Sequence, residues 1–138
     1  MYESLSDTLL DHIYEECKGE PFLVISDDMD ESWRKSVDAK KVNKMISNSR
    51  HMNLSFVFLC QSVVQLPTII RRNCDLYILF GAVSYAEIQL IYQEVSTVQR
   101  KDFSYLFQQA SAKPYGFLVI SISEGKIKFF DSFNKEIS

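Results

Sequence analysis

Two adjacent carboxylates, Asp27 and Asp28, follow an apolar run, Phe22-Leu23-Val24-Ile25, and one serine. Such a run suits a strand buried on both faces, as in a parallel sheet. A strand held that rigidly delivers consecutive acids to one spot at the sheet edge, where a divalent ion offsets their mutual repulsion. An apolar strand that simply opens a turn at Asp-Asp fits the same residues. Gln61 stands in the matching place after Phe56-Val57-Phe58-Leu59-Cys60. A neutral amide can donate to a phosphate oxygen and accept from water without adding charge beside two acids, although a plain polar strand cap also accounts for it. Arg71 and Arg72 lie in the following link. A guanidinium is a rigid bidentate cation for transition-state charge, with solvated charges or a DNA-phosphate contact as the alternatives.

Taken together, the strand and its acids have the arrangement of a Walker B motif. In that motif the first acid holds Mg²⁺, commonly through water, and the next polarises the attacking water. Calcium does not fit, because an EF-hand loop counted from Asp28 needs glycine and glutamate where Trp33 and Ala39 stand. A two-metal carboxylate site would want further acids on neighbouring strands, and the strand ends at Gln61 and Gly81 supply none nearby.

The elements that must position these groups can be read from periodicity. Leu10, Ile13, Tyr14 and Cys17 fall at helical spacing, with Ser6 or Asp7 as N-cap and Gly19 as stop. Ser32 can cap a second helix carrying Trp33, Val37, Val42, Met45 and Ile46, ended by Asn48 and Ser49. Pro67 marks a short irregular or singly turned helical link. Leu76 to Phe80 forms a third strand, closed by Gly81. Tyr85, Ile88, Ile91, Tyr92 and Val95 trace one helix, and Phe103, Leu106, Phe107 and Ala110 another. Phe117 to Ile122 and Lys126 to Phe130 predict a hairpin turning on Gly125. Strands alternating with helices predict an α/β fold with a mostly parallel sheet, flanking helices and a closing β-hairpin. Chemistry in such sheets gathers at the carboxyl ends of the strands.

The chain has 138 residues, 46% hydrophobic and 24% charged, which fits one globular domain over 1–138. Within it the motifs occupy 20–83, and helices and hairpin occupy 84–138. A net charge of -3 argues against an overall basic coat, so any DNA contact must be local. Cys17, Cys60 and Cys74 are odd in number and lack metal-ligand spacing, which predicts reduced thiols in an intracellular, reducing compartment and no zinc. No apolar run approaches the roughly 20 residues of a bilayer span, and the polar, acidic start does not read as a secretion signal. Phe103, Phe107, Phe117, Phe129 and Phe130 are expected in the core.

The run from Phe22 through Asp27-Asp28, Ser49-Arg50-His51 and Gln61 to Leu66-Pro67 and Ile70-Arg71-Arg72-Asn73 resembles the poxvirus-type DNA-packaging ATPases of large DNA viruses. These belong to the FtsK/HerA superfamily of DNA-pumping rings. The resemblance implies the C-terminal half of a RecA-like P-loop ATPase core. It implies Asp27 as Mg²⁺ holder, Asp28 as catalytic carboxylate, Gln61 as nucleotide sensor and Arg71 as a finger reaching the neighbouring subunit. It also implies ATP as cofactor, double-stranded DNA as partner, and a homo-oligomeric ring or a complementing N-terminal half. One departure matters. The sequence holds no G-x-x-x-x-G-K-[ST], since its glycines are Gly19, Gly81, Gly116 and Gly125. A degenerate, non-catalytic α/β module that assembles with a partner is the other expectation, and an apolar sheet edge inviting self-association or a partner goes with both.

Overall fold

The computed structural model describes residues 7–16, 20–27, 39–81, 83–95, 100–133 and 135–137. Packing divides the chain after Asn73 into two compact units, 1–73 and 74–138.

In the first unit, α1 (Asp7–Glu16) precedes β1 (Phe22–Ser26). Next come α2 (Ala39–Asn48), a 3₁₀ turn (Ser49–Met52) and β2 (Leu54–Phe58). A second 3₁₀ turn (Val63–Gln65) and the short α3 (Thr68–Arg72) follow. Asn53 adopts φ 52°, a left-handed conformation that asparagine tolerates, and so turns the chain into β2. Its carbonyl accepts the Phe22 N–H at 3.0 Å, which starts the β1–β2 pairing. The two strands run parallel, with Phe22 opposite Leu54 and Ser26 opposite Phe58. Among the described residues of this unit, Ile13, Met45, Ile46, Leu54, Val63, Leu66 and Ile70 are buried hydrophobic side chains.

The strand is not covered as its apolar run predicts. Leu23, Ile25, Val57 and Leu59 are 55%, 62%, 42% and 49% exposed, whereas Phe22, Val24, Phe56 and Phe58 are only half-exposed or less. One face of the β1–β2 pair is therefore open. Full burial of such a run depends on layers above and below the strand, and here the described residues supply a layer on one side.

In the second unit, β3 (Leu76–Phe80) leads into α4 (Tyr85–Glu94) and α5 (Arg100–Ser111). The chain closes with β4 (Phe117–Ser123), β5 (Lys126–Asp131) and β6 (Lys135–Ile137). These strands form an antiparallel sheet in the order β3-β4-β5-β6. Among the described residues the parallel pairing is that of β1 with β2. β3 instead pairs antiparallel with β4, Leu76 opposite Ser121 and Phe80 opposite Phe117. Both α4 and α5 intervene between β3 and β4, so the chain can return from either direction, and the connection no longer dictates a parallel crossover. The hairpin turns through Glu124 and Gly125 at φ 51° and 73°, as its glycine predicts. The third hairpin strand, β6, has no sequence signal beyond three residues.

Helix α4 starts with a capping box. Ser84 Oγ accepts the Glu87 N–H at 3.4 Å and Glu87 Oε2 accepts the Ser84 N–H at 2.8 Å. Ile91, Val95, Phe103, Leu106, Phe107 and Ala110 bury from α4, its end and α5, and Leu118, Ile120 and Phe129 bury from the sheet. Phe117 and Phe130, expected in the core, are half-buried. Gly116 sits where a side chain cannot. A Cβ there would lie 2.3 Å from the Ala110 carbonyl oxygen and 3.0 Å from that of Lys113, both backbone atoms that cannot swing aside. Gly116→Ala is expected to lower stability by about 1–3 kcal/mol, the range for overpacking, read as a lower midpoint in urea with an unchanged slope.

Candidate nucleotide-proximal edge

The carboxyl ends of β1 and β2 meet. The Leu59 N–H donates to the Ser26 carbonyl at 2.8 Å, one step beyond the last ladder pair, and so sets Asp27 level with Leu59. Exposure alternates along both strands. Residues 23, 25 and 27 are exposed in β1 and its continuation, and residues 55, 57, 59 and 61 in β2 and its continuation. Asp27 and Gln61 therefore share an edge and a phase: both follow on from the open apolar face, at its carboxyl end. Side chains alternate with period two, so a one-residue shift of either strand would have sent one of them to the opposite side. Asp28, read as the catalytic acid, lies outside the described residues.

Gln61 is exposed and leads into the first support of this edge. Ser62 caps the Val63–Gln65 turn, its Oγ accepting the Val64 N–H at a long 3.4 Å. Val63 and Leu66 bury beneath it. Sequence reading missed Ser62, although a serine at the head of a turn is a legible cap.

The two arginines differ. The Arg71 guanidinium folds back on its own link, donating through Nη1 to the Leu66 carbonyl and through Nη2 to Thr68 Oγ1 at 3.2 Å. It is half-buried, while Arg72 is exposed. Arg71 thus braces the turn that follows Gln61, with Thr68 as a partner that the sequence reading did not single out. Arg50 and His51 stand on the 3₁₀ turn before β2, at the amino end of the strand and away from Asp27 and Gln61. Cys60 and Cys74 are half-buried thiols, and Cys74 Sγ–H donates to the Leu76 carbonyl at 3.0 Å. Cys17 lies outside the described residues.

One exposed carboxylate and one exposed neutral amide, on the same edge and phase at the end of parallel strands, fit an outer-sphere Mg²⁺ contact next to a phosphate. Among the described residues this edge has no run of backbone N–H groups that would cradle the phosphates themselves. Among the described residues no three His, Cys, Asp or Glu side chains converge on a metal position.

A family model described as the poxvirus A32 protein matches residues 5–129. The chain belongs to this family. The fold agrees with solved structures of viral packaging enzymes. The B204 DNA-packaging ATPase of Sulfolobus turreted icosahedral virus superposes with a TM-score of 0.61 at 21% identity, over 90% of this chain and 60% of that one. The genome-packaging NTPase B204 of Sulfolobus turreted icosahedral virus 2, solved in complex with AMP, superposes with a TM-score of 0.66 at 20% identity, over 93% and 63%. This A32-family chain therefore spans under two thirds of the length of the structures it matches. No curated protein matches it. Among the described residues no helix is long and apolar enough to cross a membrane.

Proposed function

We propose that this chain is the acid-and-sensor portion of an ATP-driven DNA-packaging motor. The observation that carries the reading is the β1–β2 register, which sets Asp27 and Gln61 on one edge and one phase in a chain of the A32 family. The packaging activities named for the two B204 structures and the AMP held by one of them support nucleotide chemistry at such an edge.

In this reading Asp27 would hold Mg²⁺ through water, and the ion when bound supplies charge neutralisation between phosphates. Asp28 polarises the attacking water. Gln61 donates to the terminal phosphate and orients that water, adding no charge. The Arg71-Arg72 pair supplies the finger to a neighbouring subunit in a homo-oligomeric ring on double-stranded DNA, within a reducing compartment. Arg71, whose guanidinium is held at the link by Leu66 and Thr68, is the candidate finger, with Arg72 next to it as the alternative.

Nucleotide capture needs a complementing phosphate-loop segment, because this sequence contains none. In the completed assembly, Gln61→Ala is expected to leave ATP affinity within about twofold and to lower turnover about 10²-fold, the scale for losing one aimed donor. Equal losses of affinity and turnover would remove the sensor role. Removing the finger, by Arg71→Ala or Arg72→Ala, should lower turnover about 10³-fold or more, with activity regained by mixing in subunits that carry both arginines but not a working Asp28. Activity that does not return on mixing counts against a finger in trans. The missing loop also favours a second reading, a non-catalytic module that assembles with a partner. That reading expects no turnover in any assembly.

A further inference from the structure

Arg71 stands on a short, stiff link. Val63, Leu66 and Ile70 are buried and anchor that link in the first unit, and α3 packs on α2. Pro67 fixes the backbone at the bend with φ −53°. Its carbonyl accepts the Ile70 and Arg71 N–H groups at 3.0 and 3.2 Å, which starts α3. At the far end the Asn73 side-chain amide donates to the Ile69 carbonyl at 2.9 Å.

Residues three apart on a helix share a face, so α3 sets the exposed Thr68 hydroxyl beside the Arg71 side chain. Thr68 Oγ1 accepts from Nη2 at 3.2 Å, and the Leu66 carbonyl accepts from Nη1. The two acceptors flank Pro67 and take different nitrogens, so the guanidinium cannot rotate about Nε–Cζ without losing a bond. An unheld arginine gives up much rotamer freedom when it meets a partner, and a held one has already given it up. A guanidinium also carries more N–H donors than these two bonds use, so it can keep both and still donate to a phosphate oxygen.

We infer that Thr68 is a positioning residue for the Arg71 finger. Its hydroxyl, with the Leu66 carbonyl, sets the guanidinium before a neighbouring subunit's nucleotide arrives. The inference rests on the motor reading and adds to it the side chain that orients the finger. Thr68 itself has no contact with nucleotide. Its effect falls on turnover and not on ATP affinity, because it governs how readily the finger meets transition-state charge.

Thr68→Val keeps the side-chain shape and deletes the acceptor, whereas Thr68→Ser keeps the acceptor. In the chain alone, NMR of the Arg71 guanidinium nitrogens should show slow Nε–Cζ rotation in the native protein and in Thr68→Ser. Rotation about tenfold faster is expected in Thr68→Val, the scale for one hydrogen bond to a charged group, with an unchanged urea midpoint because the side chain is exposed. In the assembly completed by a phosphate-loop polypeptide, Thr68→Val should lower turnover about 10-fold at unchanged ATP affinity, and Thr68→Ser should keep most of it. Added to Arg71→Ala, Thr68→Val should cost nothing more. In mixed assemblies, Asp28→Asn subunits that supply the finger to Arg71→Ala subunits should rescue about 10-fold less when they also carry Thr68→Val.

Turnover that falls with Arg71→Ala but not with Thr68→Val overturns the inference and leaves the motor reading standing. Equal losses for Thr68→Val and Thr68→Ser, or a further loss on top of Arg71→Ala, overturn it in favour of a purely structural threonine. Fast Nε–Cζ rotation in the native chain overturns it too. Turnover indifferent to Arg71→Ala, or absent from every assembly, overturns the finger or the motor reading itself, and the inference with it.

Discussion

The purified 138-residue chain is expected to release no phosphate from ATP above the buffer blank by itself, and to hydrolyse ATP only when a phosphate-loop polypeptide completes it. The reason is the nature of phosphoryl transfer, where almost all catalysis is positioning and electrostatic stabilisation. On the proposed reading, Asp27 and Gln61 contribute to one side of that arrangement. Nothing in the sequence supplies the backbone N–H cradle and lysine that fix the β- and γ-phosphates opposite them. An acid beside an unheld phosphate only repels it. In the completed assembly Asp28→Asn should lower turnover about 10²–10³-fold with little change in ATP affinity, measured by coupled phosphate release beside equilibrium nucleotide binding. Hydrolysis by the chain alone that Asp28→Asn abolishes would sink the account, since it would mean the site is complete without a cradle.

The largest stability effect should come from the second unit. Phe103→Ala is expected to cost about 3–5 kcal/mol, the range for deleting a buried aromatic ring. Phe103 is 0% exposed, with its ring centroid 6.0 Å from that of Tyr92 and 6.0 Å from that of Phe129, so it joins α4, α5 and β5. Truncation leaves a cavity that neighbours from three elements cannot collapse into together. Against a total stability of about 5–15 kcal/mol this is a large share. The urea midpoint should fall accordingly, while Tyr115→Ala, at a side chain 96% exposed, should move it by less than about 0.5 kcal/mol. Equal shifts for the two variants would contradict the packing described.

Several elements were legible because local physics sufficed. The spacing of Phe103, Leu106, Phe107 and Ala110 marks α5, and each of these residues is buried. Glu124-Gly125 marks the hairpin turn because few other residues accept its positive φ. The S-x-x-E of Ser84 to Glu87 was equally readable and was overlooked. The pairing of β3 was not readable. Its five apolar residues fit either a parallel or an antiparallel neighbour, and the choice depends on where β4 returns after two helices. The same limit applies to Arg71, whose hydrogen bonds to Leu66 and Thr68 exist only once the link has folded.

By itself, then, the sequence determined which residues could do chemistry: Asp27, Asp28, Gln61 and the arginine pair, each at the end of a recognisable apolar run, and no phosphate loop. Those are properties of residue type and local order. The tertiary structure decided that Asp27 and Gln61 share an edge and a phase, because register between strands is a long-range pairing that no single strand contains. It also decided that the face leading to them is open, because burial depends on the layer laid over a strand and not on the strand's own composition.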